Sequence, residues 1–510
     1  MLTTLDYLVI AIYLIAVAVL GIRIAGRQTS TDDYFLGGRD LPWWVVCLSI
    51  VATETSTLTI IGLPAISYGG TLTFLQLTLG YLVGRTIVSL VLLPRYYERN
   101  LVTTYEFLGL RFGDGMRGVA SVTFLITRLL ADGVRLFATA IPLKVIAMTA
   151  GYDVSYFEII FVLGMVTVLY TMIGGIRAVV WIDVIQLAVY FIGGVLALVL
   201  LAGQIPADWW SEAVRAGKAT VFDLGLDQSL SGILTEAYVL PTAVIGGAVF
   251  SVASHGTDQL IVQRLLACRS LRDSQRALVG SAIVVMVQFA LFLLIGLMLW
   301  SHYGGATMPE LGLSRADEVF PKFIVEGLPA GVSGLLLAGI IAAAMSTLSS
   351  TVNSLASSSL MDIYKRFAKS ALDQRRSLTA SRLLTLFWGG VLIGFASLFE
   401  DSDSAVVELG LTIASYTYGA LLGVFLLGIL IKRSEQSDAL VAFAVTIVAM
   451  IAIIFGVWHS PAEGWVFTLN PSNAEILERD LKSIAWPWFP LIGSTITVFV
   501  GALTTAVRKR

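Results

Sequence analysis

The chain has 510 residues and a net charge of −2, with 57% hydrophobic residues and only 13% charged ones. Soluble globular chains carry about 25% charged residues, so this balance excludes a soluble enzyme, a disordered chain and a nucleic-acid binder with a basic face. Apolar runs of about 18 residues or more recur along the whole length, the signature of a polytopic α-helical membrane protein. Cys47 and Cys268 cannot form a disulfide framework and read as packing residues. His255, His302 and His459 are widely separated, which argues against a His-rich metal site.

In chain order, hydropathy predicts thirteen spans, near 4–25, 42–69, 71–95, 118–149, 154–174, 178–203, 237–264, 277–301, 335–361, 383–399, 405–431, 437–458 and 486–507. The first is not a cleavable signal peptide, because no positive region precedes it and Arg23 and Arg27 follow it. With the N-terminus outside, the inner loops hold Arg23, Arg95, Arg264, Arg269, Arg375 and Lys432 among many others. The outer loops hold Arg215, Lys218, Arg315, Lys322, Arg479 and Lys482. The positive-inside rule therefore selects N-out, C-in by roughly four to one, which requires an odd number of spans. The outer segments 204–236, 302–334 and 459–485 read as surface or half-buried helices. None is large enough for a separate soluble catalytic domain.

Polar groups are costly in hydrocarbon, so their clusters are the first functional candidates. Span two carries Ala52-Thr53-Glu54-Thr55-Ser56-Thr57-Leu58-Thr59, then Gly62-Leu63-Pro64. Hydroxyls that bond back to the backbone, with Gly and Pro, weaken helical continuity, and a break would free carbonyls at mid-membrane. The bland alternative is a Ser/Thr packing face, which Glu54 opposes because a buried carboxylate needs a partner. Span three carries Arg85. In span four, Arg128, Asp132 and Arg135 stand at i, i+4 and i+7 on one face. Asp132 can pair with either arginine, leaving one for Glu54 or an anionic solute; an ion network that locks the helices is an equal alternative.

Asp183, in Trp181-Ile182-Asp183-Val184-Ile185-Gln186 of span six, is either a cation ligand or an interface cap. Span seven carries Gly246-Gly247, then Ser251-Val252-Ala253-Ser254-His255-Gly256-Thr257-Asp258-Gln259. Two interrupted helices at corresponding positions of two halves point to an inverted-repeat transporter, with substrate between the breaks. Taken alone, Asp258 also reads as a cap and His255 as a hydrogen-bonded structural histidine. In span nine, Ser346, Ser349 and Ser350 share one helix face, and Thr347 and Thr351 form the next stripe. Such hard oxygen ligands suit a small cation such as Na+, and Ser-mediated helix packing is the alternative.

The run Tyr170-Thr171-Met172-Ile173-Gly174-Gly175-Ile176-Arg177-Ala178-Val179-Val180-Trp181-Ile182-Asp183-Val184-Ile185-Gln186 resembles the signature segment of the sodium:solute symporter family. Asp33-Tyr34-Phe35-Leu36-Gly37-Gly38-Arg39, Asp258-Gln259-Leu260-Ile261-Val262-Gln263-Arg264 and Ala343-Ala344-Met345-Ser346-Thr347-Leu348-Ser349-Ser350 agree with it, in the family's order. The resemblance implies an all-α, LeuT-like fold in one membrane domain of two five-helix inverted repeats, 42–203 and 237–431. One helix (4–25) would precede the repeats and two (437–507) would follow. It implies a main sodium site from carbonyls of Ala52, Thr55 and Ala343 and hydroxyls of Ser346 and Thr347. It allows a second from Asp183, Ser346, Ser349 and Ser350. Thr53, Glu54, Ser56, Thr57, Thr59, Phe74, Gln76, Arg135, His255, Asp258 and Gln259 would surround the solute.

The expected activity is symport of Na+ (one or two ions) with a small polar solute by alternating access, in the membrane of a bacterial cell. No organic cofactor or nucleic acid is implied, and a monomer can suffice. Arg135 favours a carboxylate solute such as sialic acid, an amino acid or a monocarboxylate. The Thr257-Asp258-Gln259 form of span seven instead resembles the sugar-transporting branch. A sensor with a transporter fold, a polytopic membrane enzyme and a proton-coupled carrier using Glu54, Asp183 or Asp258 are the rival classes.

Overall fold

The computed structural model describes residues 2–24, 26, 28–149, 151–365, 373–399 and 405–508, apart from the side chains of 145, 146, 149 and 405–416; Arg27 lies outside them. Its principal helices are α1 Thr4–Ile24, α2 Thr31–Leu36, α3 Trp43–Glu54, α4 Thr57–Gly69 and α5 Leu77–Val91. There follow α6 Asp114–Thr149, α7 Tyr156–Ala202, α8 Gly247–Gly256, α9 Gln259–Leu266 and α10 Leu271–His302. The last are α11 Val332–Ser358, α12 Gln374–Ala396, α13 Ala405–Leu430, α14 Gln436–Gly456 and α15 Phe489–Val507.

Among the described residues, eight helices are long and apolar enough to cross a membrane, and the bent pair α3–α4 makes a ninth. The difference from thirteen expected spans has physical causes. Spans five and six follow one another without a loop and count together as the 47-residue α7, but the backbone leaves helical φ/ψ at Gly175 between them, and 47 residues at about 1.5 Å each suffice for two crossings. The apolar pieces Thr242–Gly256 and Thr417–Leu430 are short, and α6 carries Arg128, Asp132 and Arg135 inside its apolar stretch. One of the segments expected outside, 459–485, matches its helical expectation only in the short helix Asn473–Glu478. Residues 457–483 hold a small antiparallel sheet of β1 Val457–Ser460, β2 Gly464–Phe467 and β3 Lys482–Ser483, with His459 opposite Trp465 and Lys482. Aromatic and β-branched residues such as Val457, Trp458, Trp465 and Val466 suit a half-buried pleat better than a helix.

The described chain forms two compact units. The first comprises Met1–Leu75, Arg128–Val221 and Gln263–Gly410. Almost every residue of α11 is buried, and it packs against α1, α3, α7 and α12. Small residues such as Gly339, Ala342, Ala343 and Ser346 let its neighbours approach closely. Asp6 of α1 caps the start of α11, its Oδ1 accepting from the backbone N–H of Gly331 at 2.7 Å and of Gly334 at 2.8 Å. Asp6→Ala is therefore expected to cost about 1 kcal/mol, the usual loss for a missing helix cap. Thermal unfolding of the purified protein measures it, and an unchanged midpoint would contradict the cap.

Two of the sequence motifs meet in this unit. Gly175 interrupts α7 with φ 56° and ψ −158°, a conformation open only to glycine. A Cβ there would lie 2.5 Å from the Tyr34 carbonyl oxygen. The Tyr34 hydroxyl bonds Thr385 Oγ1 at 2.9 Å and donates to the Met172 carbonyl at 3.1 Å. Asp33, one residue earlier, closes a capping box with Ser30, and hydrogen bonds led by the Thr29 N–H hold its carboxyl below the usual carboxylate range.

The second unit comprises Gln76–Thr127, Phe222–Val262 and Leu411–Arg510. Here α5 and α8 pack backbone to backbone; a Cβ on Gly84 would come within 2.3 Å of the Ala248 carbonyl. Tyr96 donates to the Gly256 carbonyl at 2.6 Å, satisfying an acceptor where α8 ends.

Candidate ion and solute site

The helix break foreseen in span two is present. α3 ends at Glu54, Thr55 (φ −78°, ψ 101°) and Ser56 (φ −92°, ψ 168°) are extended, and α4 leaves at 66°. Hydroxyls stabilise the break by bonding back one turn: Thr53 to the Ser49 carbonyl and Thr55 to the Val51 carbonyl, both at 2.8 Å. Gln288 Nε2 of α10 donates to Thr55 Oγ1 at 2.8 Å. Ala52 lies in the last turn of α3, where helices leave carbonyls without intrahelical donors.

The break lies against α11, and two contacts bracket it. Thr57 donates to the Ile340 carbonyl at 3.1 Å, and Thr53 Oγ1 lies 3.2 Å from Ser350 Oγ. Ala343, Ser346 and Thr347 fall between those positions. Thr347 donates to the Ala343 carbonyl at 3.2 Å, and Ser346 donates to Asp183 Oδ1 at 2.7 Å. Each hydroxyl oxygen keeps lone pairs after donating. Hard oxygens with no sulfur or nitrogen fit Na+ as cargo and would suit softer metals poorly.

A small cavity of about 10 Å³ lies beside the break. Ser56, Arg135, Thr139 and Thr347 line it with Asp132 and Leu348, so the structure unites residues assigned separately to ion and solute. Asp132 pairs with both arginines at once, with Arg128 Nη1 at 3.5 Å and Arg135 Nη1 at 3.3 Å, and accepts from Thr351 Oγ1 at 2.6 Å. The expectation that one arginine would stand apart from Asp132 is corrected: two cations share one carboxylate, and the triad keeps a formal charge of +1. Arg135 is the more exposed of the two, and its buried Nε has no acceptor among the described residues. A larger cavity of about 370 Å³, lined by Leu58, Ile141, Pro142, Arg315 and Lys322 among others, touches none of the expected site residues.

Asp183 and the span-nine serines form a separate, fully buried cluster. Asp183 Oδ2 accepts from Ser49 Oγ at 2.6 Å and faces Arg264 Nη2 at 3.3 Å. Arg264 also donates from Nε to Ser49 Oγ at 3.0 Å and from Nη2 to Ser350 Oγ. Ser349 donates to the Ser346 carbonyl at 3.0 Å. Arg264, expected in an inner loop, instead sits inside α9 with no exposed surface, because Asp183 compensates its charge. Sequence reasoning missed Arg264 and Ser49 as site residues; the signals for Arg264 were a cation two residues after the apolar run Leu260-Ile261-Val262 and its place in the family-like segment 258–264.

The other expected solute residues have local roles. Phe74 leans on Phe289 with ring centroids 5.7 Å apart, and Glu54 and Thr59 are half-buried. In the second unit, Gln76 donates to the Tyr238 carbonyl at 2.8 Å, and His255 Nδ1 lies 2.9 Å from Ser254 Oγ. Asp258 accepts from the Leu260 N–H and the Tyr418 hydroxyl, both at 2.9 Å. Gln259 Oε1 accepts from the Thr104 N–H at 2.9 Å.

A family model described as "Sodium:solute symporter family" matches residues 34–461. The chain belongs to the sodium:solute symporter family. This symporter is 27% identical to the sodium/sialic acid symporter NanT of Aliivibrio fischeri, over 99% of its own length and 94% of the relative's. It is 26% identical to the mouse sodium-coupled monocarboxylate transporter 1, over 99% of its length and 88% of the relative's. The solved substrate-bound, outward-open structure of a Na+-coupled sialic acid symporter superposes with a TM-score of 0.81, at 26% identity and 99% coverage of this chain. The LeuT-like transporter fold and sodium-coupled symport, rather than enzymatic catalysis, follow from these likenesses. The symporter is an integral membrane protein whose ligands are Na+ and a solute.

Proposed function

We propose that this symporter imports a small carboxylate solute with Na+. The observation that carries the solute class is the Arg128–Asp132–Arg135 triad. Its excess positive charge borders the cavity shared with Ser56 and Thr347, and Arg135 Nε is a buried donor without an acceptor among the described residues. A carboxylate supplies both the missing charge and the missing acceptor. The named relatives, a sialic acid symporter and a monocarboxylate transporter, agree with that class. A sugar supplies no charge and would leave the triad uncompensated.

The ion site we propose comprises the carbonyls of Ala52, Thr55 and Ala343 with the hydroxyls of Ser346 and Thr347. Two repeats, 42–203 and 237–431, rock around it, with the N-terminus outside and the C-terminus inside a bacterial plasma membrane. A cation bound at the break ties α3 and α4 to α11. It raises solute affinity by the same factor that solute raises its own. The membrane potential contributes about 2.3 kcal/mol per charge per 100 mV.

Uptake into proteoliposomes under an inward Na+ gradient tests the reading, with carboxylates, amino acids and sugars compared. Uptake that follows a pH gradient and ignores Na+ would sink it. Arg135→Gln is expected to weaken carboxylate binding about tenfold or more, as loss of a charge-assisted hydrogen bond does, while sparing Na+ binding. Thr347→Ala is expected to raise the half-saturating Na+ concentration about tenfold on the same scale. Unchanged Na+ dependence in that variant removes α11 from the ion site.

A further inference from the structure

The residues expected to hold a second sodium ion already hold a cation. Asp183 and Ser350 both bond the Arg264 guanidinium, Ser346 spends its proton on Asp183, and Ser349 turns to the Ser346 carbonyl. The arginine is held in place from the next position along α9. Gln263 Nε2 donates to Asn353 Oδ1 at 2.7 Å and to the Phe35 carbonyl at 2.8 Å. Thus α9 is pinned to α11 at Ser350 and again at Asn353, one turn on.

Charge decides what else can enter. Asp183 carries one negative charge, Arg264 cancels it, and both side chains have no exposed surface. A sodium ion added to that neutral pair is an uncompensated buried charge, which even a relaxed protein interior strongly disfavours. The hydroxyls of Ser49, Ser346 and Ser350 are dipoles and supply no compensating charge. While Arg264 stays, these residues do not fit a second sodium ion.

We propose that Arg264 is a tethered cation that takes the place of the second sodium, so that each transport cycle carries one Na+. The assignment rests on the sodium-symport reading and narrows its stoichiometry. It has an electrical corollary: one Na+ moving with a monoanionic carboxylate transfers no net charge.

Equilibrium dialysis of the purified full-length protein against radioactive Na+ tests it. The wild type is expected to bind one Na+ per chain. Arg264→Gln strips Asp183 of its cation and is expected to bind two, with a thermal midpoint that climbs more steeply with Na+ than the wild type's. Two ions on the wild type, or one on folded Arg264→Gln, would overturn the proposal. If Arg264→Gln does not fold without Na+, the neutral pair Asp183→Asn with Arg264→Gln is expected to fold and bind one; two ions there would also overturn it. No ion on the wild type would instead overturn sodium coupling itself, so the two failures are distinguishable.

Discussion

Asp183→Ala is expected to destabilise the symporter by about 3–5 kcal/mol, the loss typical of breaking a buried ion pair from one side. The variant leaves the Arg264 guanidinium buried without a counter-charge, and Ser49 and Ser346 lose their acceptor. Thermal unfolding in detergent reads the loss. Replacing both partners, Asp183→Ala with Arg264→Met, is expected to recover most of it, because exchanging a buried pair for apolar side chains is often neutral. A single variant that unfolds within about 1 kcal/mol of the wild type would mean that water reaches the pair.

Gly175→Ala is expected to be nearly as damaging. The backbone conformation alone costs about 1–3 kcal/mol for a residue with a Cβ. The added carbon would also press within 2.5 Å of the Tyr34 carbonyl and 3.1 Å of its ring. Tyr34 cannot withdraw, since its hydroxyl is fastened to Thr385 and the Met172 carbonyl. Gly390→Ala in α12 is the matched control, because a Cβ there meets nothing within 4 Å. It is expected to be neutral or stabilising by about 0.5–1 kcal/mol, as Gly-to-Ala changes in helices are. Yields of folded protein that fall equally in both variants would remove the special role of Gly175.

Much of this architecture could be read from residue order. The hydroxyls around Glu54 announced the break, and the spacing of Arg128, Asp132 and Arg135 placed them on one face. What residue order could not supply was partnership across the chain. Asp183 read equally as a ligand or an interface cap, and only the position of α9 shows that its partner is Arg264. Arg264 looked like one more inner-loop cation because hydropathy scores a residue alone, whereas a buried charge depends on what faces it. The same blindness affected Gln76, Asp258 and Gln259. A buried polar side chain satisfied by its neighbours and one reserved for a solute have the same local signature; Asp258 and Gln259 find partners within their own unit, and Gln76 does so through Nε2 alone, its buried Oε1 having no donor among the described residues.

The cap that Asp6 provides for α11 has a consequence in time. Asp6 Oδ1 waits for Gly331, made 325 residues later. At about 5–20 residues per second, that wait lasts roughly 16–65 s. Throughout it, Asp6 Oδ2 already has its partner in Thr3, whereas Oδ1 has neither of its final donors. The arrival of α11 is the moment when Asp6 Oδ1 can take up its cap and tie the first helix to the eleventh.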